Sequence, residues 1–379
     1  MNTHRSLSGQ RLLLIDNRQE YLLSHRMPII AAACASGMDV TTAVISQPRN
    51  AIPTTTPVSP ILVAPEGRQR LLRREWLIFS NLRKLFRTSD ADIVHLITIR
   101  VIFIGLLALL PIRNRKSRVI CSVTGLGYIF TDTKFITRAV ARIVGGTIGW
   151  AAGRLNAQLI FQNSVDRALF VQRNWVGRDR SYLVEGSGVD TDSFVATPLP
   201  ENKVILFCAR YLVHKGIREF IEAAEMAKRS RPEIRFALCG GVDPDNPASI
   251  AKDELTRAVG GGWVEDWGYR SDMKQVYTEC SFLVLPSYRE GMPKVVLEAA
   301  ASGRPAIVTD APGCSQSVVP DETGLIVPVG DSKALADAML RLVGDDEKLI
   351  LMAGAARASA EQRFSAKRIG EAVMEVYTA

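Results

Sequence analysis

Acidic residues are scarce in the first half of this chain: residues 1–190 hold 12 Asp and Glu against 25 Lys and Arg. The remainder reverses the balance, with 27 against 22. A basic first half predicts that this half meets an anionic partner. Other scarcities exclude whole classes. Only four histidines occur, and none lies four residues from another, which argues against a helical zinc pair. Six cysteines (Cys34, Cys121, Cys208, Cys239, Cys280 and Cys314) lack metal-ligand spacing. Most sit in apolar runs and read as reduced core thiols of a cytosolic protein. The apolar run 101–112 is only twelve residues, too short for a bilayer crossing and suited to a buried helix. No charged-then-apolar leader with a small-residue cleavage site opens the chain. Neither half has a G-x-G-x-x-G at its first strand-to-helix turn, and no G-x-x-x-x-G-K-[ST] occurs. That argues against nicotinamide or flavin dinucleotides and against a P-loop.

The 379 residues are too many for one core and predict two domains. Apolar runs of strand length alternate with longer helical patterns throughout, the mark of parallel α/β architecture. In the first half strands are expected at 12–16, 40–45, 92–97, 118–124, 159–163 and 182–185, with helices at 20–36 and 134–154. The Pro- and Thr-rich stretch 48–65 reads as an exposed loop, and 186–200 as a linker. The second half repeats the alternation, with strands at 204–209, 235–239, 264–267, 282–286, 306–309 and 325–327. Its helices are expected to start near Gly216, Ser249, Ser271, Pro293 and Ser332, with two more at the C-terminus. Trp263 and Trp267 flank a strand and read as core. Two doubly wound sheets in series predict a ligand cleft at their carboxyl ends.

Two basic clusters stand out. Arg68, Arg70, Arg73, Arg74, Arg83, Lys84 and Arg87 are interleaved with Leu71, Leu72, Trp76, Phe79 and Phe86; Arg113, Arg115, Lys116 and Arg118 form the second. Such interleaving predicts an amphipathic segment on an anionic membrane surface. A solvated helix face and a nucleic-acid patch are the alternatives, and a nucleic acid is not the expected partner.

The chemistry concentrates at residues 286–298, Pro-Ser-Tyr-Arg-Glu-Gly-Met-Pro-Lys-Val-Val-Leu-Glu. Glu290 and Glu298 bracket a turn between a strand pattern and a helix pattern. Such a turn offers backbone N–H groups and a helix N-terminus to a phosphate, while carboxylates accept from hydroxyls. This suits a nucleotide-sugar; alone, the two glutamates could be solvated helix surface. After the first strand of the same half comes Ala-Arg-Tyr-Leu-Val-His-Lys-Gly, residues 209–216. Arg210 at a strand end and Lys215 before a helix supply the cations a diphosphate needs.

Arg210, Lys215-Gly216, Pro286-Ser-x-x-Glu290-Gly-x-Pro293 and Glu298 together resemble the retaining glycosyltransferases of family 4, with the GT-B fold. The likeness continues through Gly303-Arg-Pro-Ala-Ile-Val-Thr-Asp310, Pro312-Gly-Cys314, Gly324-Leu-Ile-Val-Pro328 and Ser187-Gly-Val-Asp190. Ser24-His-Arg26 and Ser122-Val-Thr-Gly-Leu-Gly-Tyr128 resemble a bacterial branch that extends undecaprenyl-diphosphate-linked sugars or builds capsule and O-antigen. The resemblance implies two Rossmann-like domains: an acceptor domain over 1–190, a nucleotide-sugar domain over 191–360, and a C-terminal helix, 361–379, that crosses back to the first. It implies catalytic roles for Arg210, Lys215 and Glu290, with the two cations on the diphosphate and Glu290 on the sugar hydroxyls. Glu298 would bind the ribose, and Gly291, Met292, Pro293 and Lys294 would line the donor. Asn17, His25, Arg26, Thr124, Gly125 and Gly127 would lie on the acceptor side. Thr124 stands where many relatives carry a catalytic-site His, and Asp16-Asn17-Arg18-Gln19 stands where they have a glycine-rich turn.

The function expected is transfer of an N-acetylhexosamine from a UDP-sugar to a polyprenyl-diphosphate-linked sugar. It would take place on the cytoplasmic side of the bacterial membrane, without a metal or other cofactor. A soluble acceptor, or a sugar-nucleotide-binding subunit without catalysis, is the alternative.

Overall fold

The computed structural model describes residues 6–46, 60–65, 70–112, 115–127, 135–244 and 246–379. The chain divides into two compact units, residues 1–187 with 367–379, and 188–366. Each is built on a parallel sheet, and each sheet is wound in both directions from a central pair of strands.

In the first unit β1 (Arg11–Asp16) leads into the short α1 (Gln19–Tyr21), a π-helical turn over Leu22–Arg26, and α2 (Met27–Ala35). Then follow β2 (Asp39–Val44), β3 (Ile61–Leu62), α3 (Leu71–Thr88), β4 (Ile93–Ile97), α4 (Ile99–Leu109), β5 (Arg118–Val123) and α5 (Phe135–Arg154). β6 (Gln158–Phe161), α6 (Ser164–Gln172) and β7 (Ser181–Leu183) complete the run. The sheet order is β3-β2-β1-β4-β5-β6-β7. The stretch expected to be a loop thus ends in a strand: Ala43 and Val44 pair with Ile61 and Leu62. Residues 48–59 of it, with Arg68, Arg113 and Tyr128, lie outside the described residues.

In the second unit β8 (Val204–Arg210), α7 (Ile217–Ser230), β9 (Arg235–Gly241), α8 (Lys252–Gly260), β10 (Glu265–Gly268) and α9 (Met273–Thr278) come first. β11 (Phe282–Leu285), α10 (Lys294–Ala301), β12 (Ala306–Thr309), β13 (Gly324–Val327), α11 (Ser332–Val343) and α12 (Asp346–Ser359) follow. The order is β10-β9-β8-β11-β12-β13. Trp263 and Trp267 pack against the cores of this unit.

Both sheets are covered on both faces, as all-parallel sheets require. In the first unit α3, α4 and α5 bury Ile78, Leu82, Val101, Leu106, Ile148 and Ala151 against one face. α2 and the last helix, α13 (Ala366–Thr378), cover the other. α13 lies so close to α2 that a Cβ on Gly370 would stand 2.7 Å from Ala32 Cβ. Five cysteines are buried and Cys34 is exposed, which corrects its reading as a core thiol; all six are free thiols. Among the described residues no helix is long and apolar enough to cross a membrane.

α13 is pinned through a buried histidine. His95 on β4 shares a hydrogen bond with Tyr377 Oη at 2.6 Å through Nδ1 and with Ser122 Oγ at 2.7 Å through Nε2. Burial, helped by the nearby Arg26 charge, lowers its pKa from the ordinary 6.5 to about 3. The imidazole is therefore neutral when folded and takes up a proton on unfolding between those two values. Stability is full above pH 6.5 and falls as pH drops toward 3. The expected slope is up to roughly 1.4 kcal/mol per pH unit. Urea unfolding across this range should show that slope in the native protein and a shallower one in His95→Gln; equal slopes would contradict it.

Candidate functional site

Where a doubly wound sheet reverses its direction of winding, two neighbouring strands send their following loops opposite ways and leave a crevice at their carboxyl ends. In the second unit that point lies between β8 and β11. Residues from both loops meet there. β8 runs into a 3-10 turn, Val213–Lys215, then Gly216 at φ 76°, then α7. A Cβ at Gly216 would stand 2.1 Å from Pro286 O, so only glycine lets the two loops close. His214 O accepts from Tyr288 N at 3.0 Å. The third loop, after β12, closes the cradle: Glu290 N donates to Pro312 O at 3.0 Å.

This lacing brings Lys215 Nζ to 2.5 Å from Glu290 Oε1, and Ser287 Oγ donates to the same oxygen at 2.8 Å. Both charged side chains are largely buried, at 21% and 14% exposure. An ammonium has three donors, so Lys215 can hold Glu290 and still donate to a ligand. α7 begins beside it with no side-chain cap on its first-turn amides. A fourteen-residue helix presents partial positive charge there. A cation and an uncapped helix N-terminus on one side, with a carboxylate on the other, suit a ligand carrying both anionic oxygens and hydroxyls.

The other residues expected on the donor side are spread around this pair. Arg210 ends β8 and is half exposed; its Nη1 lies 3.4 Å from Asp243 Oδ2, outside the Lys215–Glu290 contact. Glu298 sits in the second turn of α10, with Oε1 3.1 Å from Lys294 Nζ. Its Oε2 accepts from Tyr277 Oη at 3.3 Å. Burial, then the Glu298 charge, holds the Tyr277 phenol well above its ordinary pKa, which keeps it a donor. Met292 points inward, packed with Val189, Leu297 and Phe364, so this turn can offer a ligand its backbone but not that side chain. Gly291 and Pro293 are buried beside it.

In the first unit the reversal falls between β1 and β4. Asn17, just after β1, accepts from Ser46 Oγ at 3.0 Å and from Arg100 Nη1 at 3.1 Å. Arg100 also reaches Glu75, with Nη2 2.6 Å from Oε1. Thr98, between β4 and α4, holds a left-handed φ of 77°, strained for a β-branched residue. Sequence reasoning missed Arg100, Ser46 and Glu75, although a lone charge in the apolar helix 99–109 was a visible signal. Arg26 is buried and paired with Asp16 at 2.7 Å, so its charge is committed inside rather than offered at a surface. His25 Nδ1 is 2.6 Å from Ser24 Oγ, and its ring stands edge-on to Tyr21. Thr124, Gly125 and Gly127 follow β5, the two glycines at φ 129° and 69°.

Gly216→Ala should destabilise the chain by about 2 kcal/mol or more, from left-handed strain together with the clash on Pro286. Denaturant unfolding checks this; a change within a few tenths of a kcal/mol would show that the loops close without glycine.

Comparison with known proteins accounts for both halves. Residues 202–345 match the family described as glycosyl transferases group 1, and residues 11–161 match glycosyl transferase 4-like. The chain is 29% identical over 269 residues to N,N'-diacetylbacillosaminyl-diphospho-undecaprenol alpha-1,3-N-acetylgalactosaminyltransferase of Campylobacter jejuni, covering 67% of this chain and 69% of that one. It is 29% identical over 179 residues to the capsular polysaccharide biosynthesis glycosyltransferase CapM of Staphylococcus aureus, spanning 47% of each. In three dimensions it is similar to sucrose-phosphate synthase from Thermosynechococcus elongatus, with TM-score 0.79, 20% identity and coverage of 97% and 98%. HepE of Anabaena in complex with UDP and glucose follows at 0.76, with 17% identity and coverage of 98% and 100%. With a doubly wound parallel sheet in each unit and a family match on each half, the chain belongs to the group 1 and 4-like glycosyltransferases of the GT-B fold.

Proposed function

We propose that this glycosyltransferase moves a sugar, preferably an N-acetylhexosamine, from a UDP-sugar to a lipid-diphosphate-linked sugar with retention of configuration. The observation that carries the donor half is the Lys215–Glu290 pair at the reversal point of the second sheet, beside the uncapped start of α7. Lys215 and Arg210 would bind the diphosphate, Glu290 the sugar hydroxyls, and Glu298 the ribose. Arg210 would leave Asp243, a long and half-exposed contact, to do so. The complexes of HepE with UDP and with UDP-glucose support a nucleotide-sugar donor by analogy. The Campylobacter relative supports the undecaprenol-linked acceptor.

The reaction breaks the bond between the anomeric carbon and the donor phosphate oxygen and forms one to the acceptor hydroxyl on the same face. The departing phosphate oxygen takes the acceptor's proton, so no protein base is required. Negative charge grows on that oxygen, and fixed cations stabilise this state more than the bound donor. Each charged hydrogen bond contributes about 1.5–3 kcal/mol, or roughly one to two decades in rate. With these charges held by the protein, no divalent metal is called for. On the acceptor side Asn17 and Arg100, at the reversal point of the first sheet, are the residues best placed to meet the acceptor's polar groups.

Purified protein given UDP-N-acetylhexosamines and an undecaprenyl-diphosphate sugar should release UDP, and chelator should leave the rate unchanged. No release across a wide donor and acceptor panel would sink the proposal, and inhibition by chelator would remove its metal-free step. Lys215→Ala and Glu290→Gln should each lower kcat/KM by about two decades or more. Turnover close to the native value in either variant would remove that residue's role.

A further inference from the structure

We propose that the outer face of α3, α4 and α5 docks on an anionic phospholipid bilayer. The three helices lie side by side on one face of the first sheet, α4 in the middle and packed against both neighbours. Their inner sides fill the core. Their outer sides carry large exposed apolar residues set among basic ones. On α3, Leu72 and Trp76 are 85% and 64% exposed. On α5, Ile143 and Trp150 are 66% and 54% exposed. They sit seven residues apart, on one helical stripe. Between them on α4, Phe103 and Leu107 are partly exposed, Phe103 while also packing on the core. Scattered exposed hydrophobes need no explanation, but here they occur on three adjacent helices, with an exposed tryptophan on each of the outer two.

Charge selects the occupant. The three helices hold five basic residues on α3, one on α4 and three on α5, against a single acid, Glu75. Glu75 is already paired with Arg100 on α4. The remaining arginines and lysine of α3 and α5 make no salt bridge among the described residues. Exposed aliphatic residues and tryptophans set among arginines without salt bridges match the boundary between acyl chains and anionic headgroups. A symmetric dimer through this face would set like charges against each other. Nucleic acid would leave the exposed aliphatic residues without a match. The sequence pointed to the α3 stretch and to the cluster 113–118, of which Arg115 and Arg118 donate to backbone carbonyls instead; α4 and α5 complete the surface once folded beside α3. The proposal extends the lipid-linked acceptor proposed above, but its test reads binding alone, so the two stand or fall separately.

The test is flotation of the full chain with vesicles of phosphatidylglycerol and phosphatidylethanolamine, or of phosphatidylcholine alone. The native protein should float with the anionic vesicles, less with the neutral ones, and less as salt rises. Trp76→Glu and Ile143→Glu each remove a side chain of already exposed surface, so far-UV circular dichroism should be native. Each should lower the partition coefficient about tenfold, and together by more than either. Leu351→Glu, an equally exposed site on α12 of the second unit, should have no effect. Failure to float, or flotation indifferent to Trp76→Glu and Ile143→Glu, would overturn the proposal. So would variants that instead abolish a dimer in sedimentation, or a shift of RNA in a gel, without altering vesicle binding.

Discussion

The geometry of the candidate site depends on one constraint: the point where each parallel sheet reverses its winding. At that point no crossover helix closes over the adjacent strand ends, so polar side chains from two loops can meet at a place already opened by the topology. In the second unit the meeting is the contact of Lys215 with Glu290, two largely buried charges that neutralise each other. Burying either alone would cost several kcal/mol. The pair thus makes tolerable a cation that a diphosphate can use. Gly216, Ser287, Pro312 and Gly313 are explained by it: they set three loops close enough for one lysine and one carboxylate to touch.

The same constraint recurs in the first unit with a different result. Asn17, Ser46, Arg100 and Glu75 form a neutral, hydrogen-bonded network at the corresponding place. One member of that network lies on the amphipathic helix α3, which ties the edge of the sheet to the basic outer face. His95 lies deeper, between the sheet and α13. Its two ring nitrogens are both taken, and its pKa is held far below neutrality by burial, so it fastens the last helix to the first unit and is not presented at the strand ends.

Much of this was legible in the sequence, for reasons that differ by element. Parallel strands buried on both faces read as continuous apolar runs, so nearly all of them were found within a residue or two. β3 was missed because a two-residue edge strand inside a Pro- and Thr-rich stretch has no periodicity to show. Spacing singled out Lys215 and Glu290, which the fold brings into contact, because each sits in a short turn motif. It could not show that Met292 turns inward or that Arg26 is committed to Asp16, since neither depends on local pattern. Arg210 was expected beside Lys215 and instead leans toward Asp243, a choice set by the loop after β9. The α3–α4–α5 face was half legible: the basic aromatic stretch was plain, but its continuation depends on α4 packing between α3 and α5, which no local pattern shows.

The central claim is that the Lys215–Glu290 cradle, with the start of α7, recognises the diphosphate of the donor. Isothermal titration of uridine, UMP and UDP into the native protein and into Lys215→Met tests it most directly. The account predicts that affinity climbs steeply from UMP to UDP in the native protein, and that this step largely vanishes in Lys215→Met while uridine binding is retained. Equal affinities for UMP and UDP, or a UDP step that survives the substitution, would contradict it.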